Sequence, residues 1–320
     1  GLRAAAAARA PFHPPGLSAI VPRLFGEDRA VRAQTGKISF QGAPGAYSHQ
    51  ACREAFPELE GLACNSFEGA IAAVNEGRAD LAMLPIENST YGRIADIHHL
   101  LPDSGLSIVG EHFVRVHANL LVLPGTRLEE VKTAMSQAPL LGQVRGFLRA
   151  HGIAARPGPD TAGSAAAVAA AGDRSVAALA SELAGEIHGL EVLARHIEDQ
   201  QNNTTRFLVM SPEARPAAVE GALTTFVFRV RNLPAALYKA LGGFATNGVN
   251  MTKLESYMVG GQFTATQFYA DIEGHPDEPR VARALEELRY FTTELHILGV
   301  YPRSGFRDAQ PAPVLEAEGA

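Results

Sequence analysis

Cysteine is scarce in this 320-residue chain. Cys52 and Cys64 have neither metal-ligating spacing nor the density of a disulfide scaffold, which leaves free thiols in a reducing compartment as the simple expectation. Positive charge is also short. Lys and Arg number 28 against 34 Asp and Glu, and 28 − 34 = −6. With no basic stripe interleaved with aromatics, neither nucleic acid nor an anionic membrane is an expected partner. No apolar run approaches the roughly 20 residues of a membrane span. The glycines of the first turn do not make GxGxxG, so a dinucleotide site is not supported. His98, His99, His112 and His117 lack metal-ligand spacing, and no metal is expected.

What is present is a globular composition, 46% hydrophobic and 19% charged, at a length that favours two domains. Residues 1–36 differ from the rest. "GLRAAAAARAPFHPP" is rich in Ala, Arg and Pro, and the only acids before Gly36 are Glu27 and Asp28. This composition fits an organelle transit peptide or a disordered extension, and we expect the second. A cytoplasmic protein follows from that choice, and a plastid protein from the first.

From Lys37 the pattern alternates. "KISFQGAPGAYSHQACREAF" reads as strand, Gly/Pro turn and helix, with a strand expected at Asp80–Leu84, a polar turn after it and another helix. "GEHFVRVHANLLVLPG" is strand-like, "LEEVKTAMSQAPLLGQVRGFLRAHG" reads as helical segments around a polar turn, and "VAALASELAGEIHGL" as a helix. "DTAGSAAAVAAAG" opens another helix, and "TRFLVM" is a closing strand. Strands alternating with helices predict a parallel or mixed α/β sheet.

Polar residues gather at the strand-to-helix turns: Gln41 with Ser48, Glu87-Asn88-Ser89-Thr90, Thr161 with Ser164, and Asn202 to Arg206. In open α/β sheets the ligand crevice lies beyond the carboxyl ends of the strands, where helix N-termini suit carboxylates. Each Ser, Thr or Asn could instead only cap its helix. Four such turns in one domain favour a cleft for a carboxylated small molecule.

"SPEARPAAVEG", Ser211 to Gly221, reads as a linker. After it, "TTFVFRVRN" alternates like a half-buried strand, a helix closes at Asn-Gly, two strands join through Gly260-Gly261, and a helix and strand follow. That order is βαββαβ, the ferredoxin-like split arrangement. The residues from about Ser304 read as a loose tail.

Five segments carry a family resemblance. "NNTTRFLVM" resembles the Thr-Arg-Phe signature of prephenate dehydratases, "QGAPGAYSHQA" their opening motif, "LPIENSTYGRIADIHHLL" their Pro-Ile-Glu-Asn-Ser segment, and "DTAGSA" their Thr-Ala motif. The part after the linker resembles the ACT regulatory domain. The resemblance implies a two-lobed, periplasmic-binding-protein-like (type II) catalytic domain over 37–213. Its lobes would be about 37–112 plus 187–213, and 113–186. A βαββαβ ACT domain over 222–303 and a tail over 304–320 follow.

It also implies an activity: prephenate loses carbon dioxide and its ring hydroxyl to give phenylpyruvate, on the way to phenylalanine, with no metal or other cofactor. Arogenate dehydratase is the alternative within the enzymes, and a non-catalytic amino-acid sensor the alternative outside them. Thr205 would be the hydrogen-bond donor to the leaving oxygen and Arg206 would hold a carboxylate, unless it pairs with Glu87 and props the cleft. Gln41, Asn88, Ser89, Ser136, Gln143, Thr161, Ala162 and Asn203 would line the pocket. Glu87 is either a general acid with a pKa raised by burial or a structural carboxylate. "AMSQAPLLGQVRGFL" departs from the family's Ser-His-Pro segment, with Gln137 and Ala138 in place of His and Pro. In the ACT part, Ala236, Leu237, Asn247, Asn250, Glu255 and Ser256 would bind phenylalanine between the subunits of a homodimer or homotetramer. Two departures bear on that site: Ala235 replaces a glycine, and "ESYM" replaces Glu-Ser-Arg-Pro.

Overall fold

The computed structural model describes residues 35–309 except 201, 232 and 259–264. The expected extension up to residue 34, the Gly260-Gly261 turn and the tail beyond 309 lie outside the described residues. The first lobe opens with β1 (Lys37–Gln41), α1 (Tyr47–Ala55), β2 (Glu60–Cys64), α2 (Phe67–Asn75), β3 (Leu81–Asn88), β4 (Gly92–Arg93), α3 (Ala95–Leu100) and β5 (Ser107–Arg115). The chain then crosses into a second lobe: β6 (Asn119–Val122), β7 (Thr133–Ser136), α4 (Ala138–Gly142), α5 (Arg145–Ala150), β8 (Ala154–Pro157), α6 (Thr161–Ala171), β9 (Val176–Ala180), α7 (Glu182–His188) and β10 (Glu191–Ala194). It returns through β11 (Thr204–Ser211). The C-terminal part is β12 (Ala222–Val230), α8 (Ala236–Thr246), β13 (Met251–Met258), β14 (Ala265–Glu273), α9 (Pro279–Phe291) and β15 (Thr292–Pro302), the expected βαββαβ order.

Two sheets organise the described residues. The larger runs β13-β14-β12-β15-β5-β11-β3-β1-β2 with β4 on β3, and the smaller runs β10-β6-β9-β7-β8. The lobe boundaries expected at 113 and 187 are therefore corrected. β5 stays in the large sheet to Arg115 because it is laddered to β11, and β10 belongs to the small sheet because it pairs with β6. The crossovers lie at 116–118 and 195–203.

Several short elements also differ from expectation. "TAMS" and "VAALA" are strands, the latter central between β6 and β7. A four- or five-residue apolar run buried on both faces has no periodicity to separate it from a helix. "PIEN" continues β3 where a polar turn was expected, because β11 and β4 pair with it. Pro85 sits where the β3–β11 register shifts, at Arg206/Phe207. A proline cannot donate to a ladder, and a bulge tolerates that loss.

The βαββαβ sheet is closed on both faces, so β12 is buried almost throughout and not half-buried. Phe226, Phe228 and Val230 pack under α8 and α9, whereas Leu223 and Val227 join Tyr257, Tyr269, Leu298 and Tyr301 in a core shared with Leu84, Ile86, Ile97, Leu208 and Met210 of the first lobe. α3 supplies much of that cover. Its buried His98 meets the Tyr269 ring edge-on, and His99 meets Tyr257. Residues 304–309 are not a loose tail either: a 3₁₀ turn at Gly305–Arg307 stacks Phe306 on Phe113 and places the Arg307 guanidinium over the same ring.

The two parts of the large sheet meet where Gly299 of β15 pairs with Ile108 of β5. A Cβ on Gly299 would collide with the Ile108 carbonyl, which is backbone and cannot step aside. Gly299→Ala is accordingly expected to destabilise the protein by roughly 1–3 kcal/mol or more, as overpacking does. Thermal unfolding checks this; an unchanged melting temperature would contradict the close junction.

Candidate functional site

Strand direction brings the polar turns together. β1 and β3 are parallel and β11 is antiparallel to β3, so Gln41, Asn88 and Thr204–Thr205 stand at one edge of the large sheet. In the small sheet β7 and β8 are parallel, and α4 and α6 start beyond their carboxyl ends. The two edges meet. Ala43 and Ala46 pack on a cluster holding Ala162 and Ala184, Ser181 Oγ donates to the Gly45 carbonyl at 2.6 Å, and Tyr91 Oη donates to the Pro139 carbonyl at 2.7 Å.

The centre of the site is an oriented amide. Asn88 Oδ1 accepts from the backbone N–H of Thr90 at 2.9 Å and of Tyr91 at 3.0 Å. Its Nδ2 must therefore face the other way, and it donates to Thr205 Oγ1 at 3.0 Å and Asn203 Oδ1 at 2.6 Å. Thr205 Oγ1 is thus an acceptor toward Asn88, which leaves its own proton to be donated elsewhere. Asn203 Nδ2 donates to Gln143 Oε1 at 2.7 Å across the lobes, which turns the Gln143 amide nitrogen outward as a donor. Thr205 and Asn203 are 9% and 4% exposed, so the lobes enclose this chain of groups. α6 begins at Thr161 and Ala162 with Asp160 capping the Gly163 N–H at 2.6 Å, and α1 begins at Tyr47 without a side-chain cap. Free first-turn N–H groups suit a carboxylate.

Arg206 does not reach this chain. Adjacent residues of a strand point to opposite faces. Thr205 looks to the cleft, and Arg206, 2% exposed, looks into the shared core. Its Nε donates to Glu111 at 2.8 Å, Nη1 to Glu87 at 2.9 Å and Asp271 at 2.5 Å, and Nη2 to Tyr301 Oη at 3.0 Å. Four of its N–H groups are spent, which corrects the expectation that it holds a ligand carboxylate and favours the pairing alternative. Glu87 also accepts from Lys253 Nζ at 2.6 Å. Burial alone would raise its pKa, but Lys253 and Arg206 hold it below the usual carboxylate value, so it is an ionised structural group and not a general acid. Glu111 is buried too, yet Arg307 and Arg206 hold its pKa down.

Two further expectations change. Ser136 is fully buried and donates to the Leu179 carbonyl at 2.8 Å, inside the second lobe. Ser89 Oγ donates to the Asn202 carbonyl at 2.6 Å and accepts the Thr204 N–H at 2.9 Å, so its hydroxyl fastens β11 to the turn. Thr205 lines neither of two cavities at the surface. One of about 370 Å³ is lined by His117, Asn119, Ser181 and His196, and one of about 410 Å³ by Asn88, Ser89, Phe113, Thr204, Arg206 and Phe306.

The residues expected to bind an effector are not gathered within one chain. Ala236 and Leu237 open α8, and Asn247 closes it about 16 Å away at 1.5 Å per residue. Asn247 donates to Glu287 at 3.2 Å and accepts from Arg283 at 2.9 Å, and Asn250 donates to Glu273 at 3.0 Å. Glu255 lies 3.4 Å from Lys253, and the Ser256 carbonyl accepts from Arg93. Ala235 holds φ +61°, a left-handed conformation that disfavours any residue but glycine.

Asp271, Tyr301, Lys253 and Glu111 were missed in the sequence. Their one signal is a lone acid, base or hydroxyl in an otherwise apolar strand, as in "QFYADIEG". The depressed pKa values of Glu87 and Glu111 set a pH dependence. A carboxylate with a lowered folded pKa contributes stability above its unfolded value, about 4.3, and loses it as pH falls through the folded value. Unfolding midpoints are expected to hold from pH 7 to about 5 and to fall steeply below about 4. A Glu111→Gln variant should lose stability at neutral pH and show a flatter acid limb.

Residues 38–215 match the prephenate dehydratase family. A protein of Komagataeibacter europaeus named bifunctional N-acyl-homoserine lactone acylase/prephenate dehydratase is 53% identical over 84% of this chain and 97% of its own. Arogenate dehydratase/prephenate dehydratase 1 of Arabidopsis thaliana is 38% identical over 87% of this chain and 73% of its own. The solved structure of an Arthrobacter aurescens prephenate dehydratase in complex with L-Phe is 30% identical, covers 86% of this chain and 92% of its own, and superposes with a TM-score of 0.77. With that family match over more than half of its length and relatives of 53% and 38% identity, the chain belongs to the prephenate dehydratase family.

Proposed function

We propose that this chain converts prephenate to phenylpyruvate, and that Thr205, with its oxygen held by Asn88, is the donor to the departing hydroxyl. The Asn88–Thr205 hydrogen bond carries the reading, because it makes Thr205 Oγ1 the acceptor toward Asn88 and leaves the hydroxyl proton for another partner. The C–C bond to the ring carboxylate breaks, its electron pair enters the ring, and the C–O bond to the ring hydroxyl breaks. One proton is taken up and carbon dioxide and water are released. A hydrogen bond that strengthens as the oxygen gains charge stabilises that transition state. Threonine is too weak an acid to surrender its proton outright, so the proton reaches the oxygen from solvent through the hydroxyl.

Gln143 and the first-turn N–H groups at Thr161 and Ala162 orient the carboxylates, with Gln41 and Asn203 bordering them. The absence of Arg206 from the cleft suits the chemistry. A guanidinium on the departing carboxylate would favour the anion over neutral carbon dioxide and slow its loss. We further propose residues 37–213 as the catalytic domain and 222–303 as an ACT regulatory domain. In this reading phenylalanine acts as effector in a homodimer or homotetramer, in the cytoplasm. Arogenate dehydration uses the same bond changes and is the second reading, favoured by the 38% identical relative of that name.

Turnover of the purified protein on prephenate and on arogenate, with and without phenylalanine, tests this. Phenylpyruvate is expected from prephenate, and Thr205→Ala should lower kcat by about 10²-fold or more while remaining folded. Phenylalanine formed from arogenate alone would move the assignment to the second reading. Homoserine lactone released from an N-acyl-homoserine lactone would add the other activity in the 53% identical relative's name. No product from any of the three would overturn the enzyme assignment.

A further inference from the structure

Charged groups gather around Arg206, and the network continues through Lys253 to Glu255, 3.4 Å away. Three cations, Arg206, Lys253 and Arg307, face three acids, Glu87, Glu111 and Asp271. Asp271 and Glu111 are fully buried, and the Lys253 side chain is 7% exposed. The set spans the junction between the first lobe and the βαββαβ domain. Glu87 and Glu111 come from β3 and β5, and Asp271 and Tyr301 from β14 and β15. Thr225 of β12 locks the last two, donating to Asp271 at 2.6 Å and lying 2.7 Å from Tyr301 Oη.

Arg206 is also the residue beside Thr205, at the edge of an irregularity in the β11–β3 ladder. The β11–β3 ladder shifts register between Arg206 and Phe207, opposite Pro85 and Ile86. Just before that shift Thr205 and Arg206 pair with β3 and β5, and the guanidinium is anchored in the other domain. A second link runs parallel to the first. Lys253 of β13 is the register neighbour of Asp271 and pairs with Glu87, and Glu87 directly precedes Asn88, which holds Thr205.

We infer that Arg206 and Asp271 are positioning residues: the docked βαββαβ domain sets the orientation of Thr205 through the Asp271–Arg206 ion pair. Thr161 and Ala162 lie in the second lobe and take no part in the Asp271–Arg206 link, and Gln143 meets it only at its far end, through Asn203 and Asn88. A movement of β13 or β14, whatever causes it, therefore reaches the reaction step and leaves ligand capture nearly unchanged. The inference rests on the assignment of Thr205 as the donor.

The test is steady-state kinetics on prephenate with the full chain. Asp271→Asn keeps the shape and removes the charge. Its kcat per folded molecule is expected to fall at least ~10-fold, as a misplaced group costs, with KM changed less than about threefold. Tyr301→Phe should fall in the same direction by less. Leu298→Ala, which weakens the same buried interface without touching the ion pair, should keep the wild-type kcat below its melting temperature. On a Thr205→Ala background, Asp271→Asn should leave the residual rate where it was, because the group it acts through is gone. An Asp271→Asn protein whose kcat per folded molecule is unchanged, a KM effect alone, or full multiplication of the two losses would overturn the inference. A wild-type chain inert on every substrate would instead sink the functional assignment. Amide exchange at Thr204–Arg206 in Asp271→Asn would still read the link, faster exchange supporting it and wild-type exchange overturning it.

Discussion

One buried guanidinium governs how this molecule is assembled. Arg206 is 2% exposed, and an unpaired charge at that depth would cost several kcal/mol. Its acids arrive from β3, β5 and β14, so those strands must converge before the arginine can be withdrawn from water. The same demand explains the return of the chain beyond β15: Glu111 binds both Arg206 and Arg307, and Arg307 balances the third acid. The apolar core around Leu208, Tyr269 and Tyr301 then fills the space between the charges. Replacing such a whole set with hydrophobic residues is often neutral or stabilising elsewhere, so the orientation these charges impose is a property apart from the stability that their pairing contributes.

Much of the fold was legible because it rests on patterns with a physical period. The alternation of strands and helices, the polar turns at strand ends and the βαββαβ order all came from punctuation by Gly, Pro, Asn and Ser. The turn at Asn88 and the cap at Asp160 landed where a crevice was expected. "TAMS" and "VAALA" were not legible, since a short apolar run buried on both sides carries no periodicity. "TTFVFRVRN" alternates, yet its second face is covered by α3 and β3, and what covers a face is decided by residues far away in sequence.

The misplaced role of Arg206 has a different origin. Reading "TTRF" as a motif treats neighbours as partners, whereas a strand sends neighbours to opposite faces. Once Thr205 is assigned to the cleft, alternation alone puts Arg206 in the core and Phe207 back on the Thr205 side, where it packs with Phe40 and Met83. Ser89 and Ser136 show the complementary limit. Their residue type suits a pocket, but each hydroxyl is consumed by a backbone carbonyl that no local pattern announces.

The Arg307 turn bears on how the protein is made. Synthesis runs from the N-terminus, and domains generally fold in that order. Here the first lobe is interrupted by the second and completed by β11, and β11 in turn depends on Asp271, Tyr301 and Arg307, up to 101 residues later. The nascent first lobe therefore carries Arg206 facing two acids, Glu87 and Glu111, and an uncovered apolar face until the residues up to Arg307 have emerged. Contacts of that separation slow folding and lengthen exposure. A protein built this way stays vulnerable until the turn that bears Arg307 has emerged, and chaperone protection matters up to that point.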